Sequence, residues 1–451
     1  MMTRVFFALV FMLSAVIGYV SPVVAAPGQG VSEDTIAARA RFFGEENVDV
    51  RSGEVRADRV IFSWVTNASL AVSIRGRIVL LDTYINRPEL LPATGTADLR
   101  RSPISIQELV ALAPEAIFLG HGHGDHADNA AYIAKQLDIP IYASPETCDV
   151  MQADVQRMFN DPNLVNGGVR IIPNNLPVKC ISPISRASVP GAEVVNIHQL
   201  DPVACIVAFK HIHSGTVPTD TTFPFVPVFP DSDPRELAAN AGVPTFSPTP
   251  SPPLYPRLTS LTPPTSGTPV PGQMNLTTTG FGTIPGSPGG PISIFYQFIT
   301  GDANNFTFVW HNTTGPLKEG VGSDPGLPSA AVGAKLFAIM DSLPQTDVEL
   351  GSIVSLGVGT NGVRDPILYQ QHIRPQVYIP IHETDATPIG SSLRFKNAYL
   401  KAVVAANVPV QPEIRWMVDP DDFIRPMVYD PKDDRWKKSN NQQTINKFCN
   451  H

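Results

Sequence analysis

Cysteine is scarce in this chain. Four residues in 451 are cysteine, Cys148, Cys180, Cys205 and Cys449, and no two form a C-x-x-C pair. That spacing argues against a cysteine-rich zinc site. In an oxidising compartment four such residues allow one or two disulfides, with three connectivities if all pair; buried free thiols are the alternative. Positive charge is also in deficit: 33 Lys and Arg against 41 Asp and Glu leave a formal net charge of −8. Long-range attraction to a polyanion is therefore disfavoured, and no nucleic-acid partner is expected. Long apolar runs are missing after residue 20. The one run present, residues 5–20, follows Arg4 and leads into Ser21-Pro-Val-Val-Ala-Ala26. Residues 1–26 thus read as a secretory signal peptide, with an uncleaved anchor as the second reading. The protein is expected to be secreted or periplasmic, without stable membrane insertion after cleavage. No internal repeat is visible.

What is present is a core-forming chain, 43% apolar, interrupted once. Residues 27–55 form a charged, helix-like lead-in. Core patterning runs from about residue 57 to 213, then breaks into a stretch rich in Pro, Gly, Ser and Thr over residues 217–291. Proline removes an amide donor and blocks helix, so this insertion is expected to be extended or irregular, with one short helical turn at 235–241. It reads either as a lid carrying Phe223, Phe225, Phe229, Tyr255 and Phe281 or as a decoration without substrate contact. Patterning resumes with a hairpin over residues 292–310, a helix over 330–343, short strands at 353–356 and 377–381, and an amphipathic helix over 391–408 that closes the fold. The main domain is placed at 56–430, and residues 431–451 read as a polar surface tail.

The chemistry concentrates in Phe118-Leu-Gly-His-Gly-His-Gly-Asp-His-Ala127. Three imidazoles and a carboxylate, His121, His123, Asp125 and His126, fall within six residues after an apolar run. Neutral imidazole is the commonest zinc ligand and a carboxylate adds charge neutralisation. Alternation puts His121 and His123 on one side of an extended segment, while Asp125 and His126 fall where a helix begins. One loop can offer two groups of ligands to one cleft.

This H-x-H-x-D-H pattern resembles the signature of the metallo-β-lactamase superfamily, in its lactonase-like branch. The likeness extends over most of residues 55–430: paired opening strands at 61–82 with the turn Arg75-Gly76-Arg77 and strand-end Asp82, then helix, turn and buried strand over 109–120, a helix over 127–137 and a strand over 140–143. The resemblance implies an α/β fold, an αββα sandwich of the metallo-β-lactamase type with a long Pro-rich insertion. It also implies three further ligands from later strands. The third histidine is best matched by His213 in Val207-Ala-Phe-Lys-His-Ile-His-Ser-Gly215, with His211 and His198 as competitors. The last is His382, in the closing Pro-x-His context. Between them the family carries a bridging aspartate, and here Asn312 stands in its place. A neutral amide bridges two dications poorly. Either the second ion binds weakly, or His311 or Asp302 substitutes. His372 and His451 read as surface residues. Asn67, Asn275, Asn305 and Asn312 each begin a formal glycosylation sequon, taken as chance matches.

The resemblance implies one or two Zn²⁺ ions, with Mn²⁺ or Fe²⁺ as alternatives. It implies hydrolysis of a small molecule, an ester, lactone or amide (a β-lactam included), with Asp125 as both ligand and proton shuttle. A phosphodiesterase and a catalytically weak metal-binding scaffold are the competing functions.

Overall fold

The structure, a computed structural model, describes residues 31–85, 104–160, 165–166, 169–186, 188–215, 217–228, 292–320, 330–382, 391–409, 411–417, 422–437 and 441–449. The segment expected as a signal peptide, residues 229–291 with the helical turn expected at 235–241, Asn275 and His451 lie outside the described residues.

The described residues open on α1 (Glu33–Phe43), capped by the Ser32 hydroxyl, which accepts from Thr35 N. Three strands follow in antiparallel order: β1 (Val60–Thr66), β2 (Ser69–Ile74) and β3 (Arg77–Leu81). The β2–β3 turn places Arg75 and Gly76 at φ 51° and 87°. Two successive residues with positive φ match the right-handed twist of the flanking strands, and glycine carries the second without a Cβ penalty. Next come α2 (Ile106–Ala111), held by a Ser105/Glu108 capping box, then β4 (Ala116–Phe118), α3 (Gly124–Ala127), α4 (Ala130–Leu137), β5 (Ile141–Tyr142) and α5 (Pro145–Asn160). A small hairpin, β6 (Val165–Asn166) and β7 (Val169–Arg170), precedes β8 (Cys180–Ile181), β9 (Val194–Ile197) and β10 (Ala204–His211).

After the insertion, β11 (Ser293–Thr300) and β12 (Thr307–His311) form the expected hairpin. They are followed by α6 (Ala330–Ser342), β13 (Val348–Ser352), α7 (Val358–Asn361), α8 (Arg364–Ile373), β14 (Val377–Ile381), α9 (Ser391–Ala405), β15 (Glu413–Ile414), β16 (Met427–Tyr429) and α10 (Asn441–Phe448).

Two seven-stranded sheets result, ordered β16-β1-β2-β3-β4-β5-β8 and β15-β14-β13-β12-β11-β10-β9. Each has three antiparallel pairings and then three parallel ones, and the switch falls at β3 in one sheet and β12 in the other. The fold is thus a topological duplication that the sequence does not display as a repeat.

Between the sheets lies one aromatic-rich core, with Phe298 stacked on Phe308 at 4.5 Å and Phe62 edge-on to Phe308 at 5.0 Å. Each such buried ring contributes about 2–3 kcal/mol of transfer free energy. The outer face of the first sheet is covered by α1, α2, α4 and α5, and that of the second by α6, α8, α9 and α10. Helix, sheet, sheet, helix is the expected layering. Among the described residues no helix is long and apolar enough to cross a membrane.

Two expectations fail. The strand expected at 353–356 is instead β13, a few residues earlier, where Val348 and Leu350 face the inter-sheet core; Ile353 continues into the loop beyond it. The end of the chain is no polar surface tail. β16 adds an edge to the first sheet, Trp436 is buried, and Ile445 and Phe448 of α10 pack on the second sheet. Cys449 is joined to Cys205 of β10, and the second disulfide pairs Cys148 with Cys180. The lead-in is equally structural, since Phe42 and Phe43 of α1 are core residues.

Candidate metal centre

Both sheets present loops at one edge, and the six donors come from three of them. The segment after β4 carries His121, and His123 sits at the N-cap of α3, whose first turn brings Asp125 and His126 round beside it. His213 follows β10 and His382 follows β14. They gather as two triads, His121–His123–His213 and Asp125–His126–His382, with the donor atoms of each within 4.8 Å of one another. In the first, His121 Nε2 lies 3.0 Å from His123 Nδ1 and 3.2 Å from His213 Nε2. In the second, the edges are 3.1 Å (His126 Nε2 to His382 Nε2), 3.3 Å (His126 Nε2 to Asp125 Oδ2) and 3.4 Å (His382 Nε2 to Asp125 Oδ2). Ligands at about 2.0–2.1 Å from a tetrahedral zinc ion stand about 3.3 Å apart. The donor sets therefore fit a dication in each triad, by spacing as well as by chemistry.

In His121, His126 and His213 the ring nitrogen facing away from the triad is also held. His126 Nδ1 donates to Asp82 Oδ2 (2.7 Å), and His121 Nδ1 donates to Asn312 Oδ1 (2.8 Å). Asn312 Nδ2 donates to the same Asp82 Oδ2 at 2.7 Å, and Gly120 N donates to Asp82 Oδ1 at 3.1 Å. His213 Nδ1 donates to the Ser214 carbonyl at 2.8 Å. Each bond orients its ring so that the other nitrogen faces the triad. In the β1–β2 turn, buried Asn67 has φ 49°; its Nδ2 donates to the Asp125 carbonyl at 2.9 Å, and its own carbonyl accepts from His382 N at 3.1 Å. One turn residue thereby fixes the backbone of two ligands in the second triad.

The electrostatics agree. Burial, then the neighbouring histidines, push His121 well below the ordinary histidine value, and burial and His123 do the same to His213. Both are neutral, as ligands must be. Burial would raise Asp125, but His126 and His382 outweigh it and hold the carboxyl well below the usual range. Burial would lower His126, but Asp125 and Asp82 on either side raise it to about 10. Two carboxylates converging on one ring mark this as a place that accepts positive charge.

Six of the seven sequence-expected ligands thus come together, and one does not. Asn312 joins neither triad: both heteroatoms of its amide are engaged behind them, on His121 and Asp82. Nor do the substitutes take its place. His311 Nε2 pairs with Glu349 at 2.9 Å, and Asp302 bonds Thr300 and Asn304 in a turn. His211 contacts Tyr369 OH at 3.1 Å, beneath the second sheet. His198 is exposed beside Asp201, and His372 pairs with Asp341. Asn67 and the Ser214 carbonyl escaped the sequence reading. The signal available for the Asp82–Asn312 contact was the pair of strand exits Leu81-Asp82-Thr83 and His311-Asn312-Thr313, which are alike and equivalent in the two sheets.

Two mixed seven-stranded sheets between helical layers, with H-x-H-x-D-H after β4 and single histidines after β10 and β14, decide the architecture. The chain is a metallo-β-lactamase-fold protein. No family model matches it. A metal-dependent hydrolase from Pyrobaculum neutrophilum is 26% identical over 109 residues, 24% of this chain and 43% of that protein, so the match spans less than half of the relative's length. Similar solved structures include Igni18, a metallo hydrolase from Ignicoccus hospitalis (10% identity, 82% of this chain, 98% of that one, TM-score 0.39). Others are an isothiocyanate hydrolase from Delia radicum gut bacteria (12%, 81% and 98%, 0.37) and Zn²⁺-bound PqqB from Methylobacterium extorquens (14%, 81% and 87%, 0.34). These likenesses are distant; strand order and ligand order identify the metallo-β-lactamase fold.

Proposed function

We propose that this metallo-β-lactamase-fold protein is an exported, metal-dependent hydrolase of a small carboxylic ester, lactone or amide. The observation that carries this reading is the convergence of six donors into two triads with ligand-like spacing. Zinc suits a set of five imidazoles and one carboxylate, and Mn²⁺ or Fe²⁺ would use the same residues. When bound, a dication supplies Lewis acidity toward a substrate oxygen and acidifies water toward neutral pH.

The protein's own residues do the rest. His121, His123, His126 and His213 are buried, whereas the Asp125 and His382 side chains are each 20% exposed. Substrate therefore approaches over Asp125 and His382. Asp125 stays ionised at neutral pH and can take a proton from attacking water, then return it to the leaving group. Asn67 keeps it in place through the backbone. Two disulfides support export, because such bonds persist in oxidising compartments. The acidic chain favours an uncharged or weakly charged substrate over a polyanion.

The test is elemental analysis of the mature chain purified without chelator, with a panel of esters, lactones, amides and phosphodiesters. Bound zinc is expected, with acyl hydrolysis lost on chelation and reduced on the order of 10²-fold or more in Asp125→Asn. Phosphodiester hydrolysis alone would move the reading to a phosphodiesterase. No metal after zinc is supplied would overturn it and leave a scaffold.

A further inference from the structure

The two triads share no ligand, yet they are physically joined behind. Asp82 follows β3 and Asn312 follows β12, the equivalent strands at which each sheet switches from antiparallel to parallel pairing. Their side chains meet at 2.7 Å, one behind His126 of the second triad and the other behind His121 of the first. The amide orientation is forced. The carboxylate of Asp82 can only accept, so Nδ2 faces it and Oδ1 is left for His121 Nδ1–H. An aspartate at 312 in this geometry would set two carboxylate oxygens 2.7 Å apart, which cannot both stay ionised. Gly120 is part of the fit, because a Cβ there would overlap the Asn312 amide.

This arrangement makes the triads unequal. The His121–His123–His213 triad is made of imidazoles alone and is buried, with a neutral amide behind His121 and a backbone carbonyl behind His213. The Asp125–His126–His382 triad carries one carboxylate directly and a second behind His126, with partial access to water. A carboxylate behind a ligating imidazole raises its basicity, and a ligand charge offsets that of a dication. We propose that the Asp82–Asn312 bracket replaces a shared bridging ligand: Asp125–His126–His382 is the tighter position that fills first, and His121–His123–His213 fills second and more weakly, with Asn312 as its positioning residue. This rests on the metal-dependent reading above.

The experiment is calorimetric titration of the chelator-stripped mature chain with Zn²⁺, with circular dichroism confirming that each variant is folded. Wild type should show two resolved steps. His382→Ala should lose the tight step and His121→Ala should keep it. Asp82→Asn should weaken the tight step roughly 10–100-fold, and Asn312→Ala should weaken the second step by a similar factor while moving the first by less than about threefold. Two ions entering with equal affinity, a tight step that survives His382→Ala, or unchanged steps in Asn312→Ala would each overturn the inference while leaving the metal-dependent reading intact. Absence of any Zn²⁺ binding by wild type would instead remove that reading and the inference with it.

Discussion

The Cys205–Cys449 bond ties the end of α10 to β10 across a sequence separation of 244, so it should stabilise the oxidised chain more than the shorter Cys148–Cys180 loop does. In the loop-entropy description, closing a loop of that length stabilises by about 5 kcal/mol, against roughly 4 kcal/mol for Cys148–Cys180, whose separation is 32. Freed α10 would also lose part of the burial of Ile445 and Phe448, about 1.5–3 kcal/mol for each side chain fully exposed. The double replacement Cys205→Ser/Cys449→Ser is therefore the perturbation. Unfolding entropy scales with length at about 2 cal/mol/K per residue, so a 5 kcal/mol loss lowers Tm by roughly 6 °C in a chain of this size. Differential scanning calorimetry of the wild type, this pair and Cys148→Ser/Cys180→Ser measures it, with a reducing agent as the cross-check. The expected order of Tm is wild type, then the 148/180 variant, then the 205/449 variant. A 205/449 variant within 1 °C of wild type, or above the 148/180 variant, would refute the reasoning.

Two further outcomes follow from buried groups. A Cβ at Gly333 of α6 would overlap the Leu317 carbonyl oxygen, so Gly333→Ala should cost on the order of 3 kcal/mol, read as a lower denaturation midpoint in urea; an unchanged midpoint would show that α6 can shift freely. Burial raises Asp154 to about 6, opposed by Arg157 and helped by Asp128. A carboxyl raised above its unfolded value costs stability once ionised, so this contribution worsens as pH climbs from about 4 to about 6 and is then constant. Asp154→Asn should accordingly be more stable than wild type at pH 8, by up to roughly 3 kcal/mol, and lose that advantage by pH 4. An advantage independent of pH would refute the assignment.

The metal centre was legible in sequence wherever a ligand ends an apolar strand. His121, His123, Asp125 and His126 announce themselves by spacing, and His213 and His382 by the strands of eight and five residues that deliver them. Asn312 was legible as a position but not as a role. Its place after β12 is local, whereas its function depends on Asp82, 230 residues away, taking the amide nitrogen. Asn67 was invisible for the same reason, since its contacts run to loops after β4 and β14. The end of the chain misled because its composition is polar: among its described residues Pro431, Trp436, Ile445, Phe448 and Cys449 are buried, with partners as far back as Phe306 and Cys205. Composition reports how much a segment can bury. It does not report that a segment is pinned.

The duplicated sheets also bear on why the centre needs both halves. The first half supplies four donors and Asp82, and the second supplies His213, His382 and Asn312. Each triad takes at least one ligand from the second sheet: His213 completes the first and His382 the second. Neither position can form before the sheets dock, so an ion bound to either one favours the docked state over every state in which the sheets are apart. The Asp82–Asn312 bond adds a second tie at the same interface, at the two strand exits where parallel pairing begins. Two dications without a bridging carboxylate repel each other more than two with one, so a chain with asparagine at 312 needs another source of cohesion there. On the proposal above, the Asp82–Asn312 bracket and the aromatic core between the sheets would supply it.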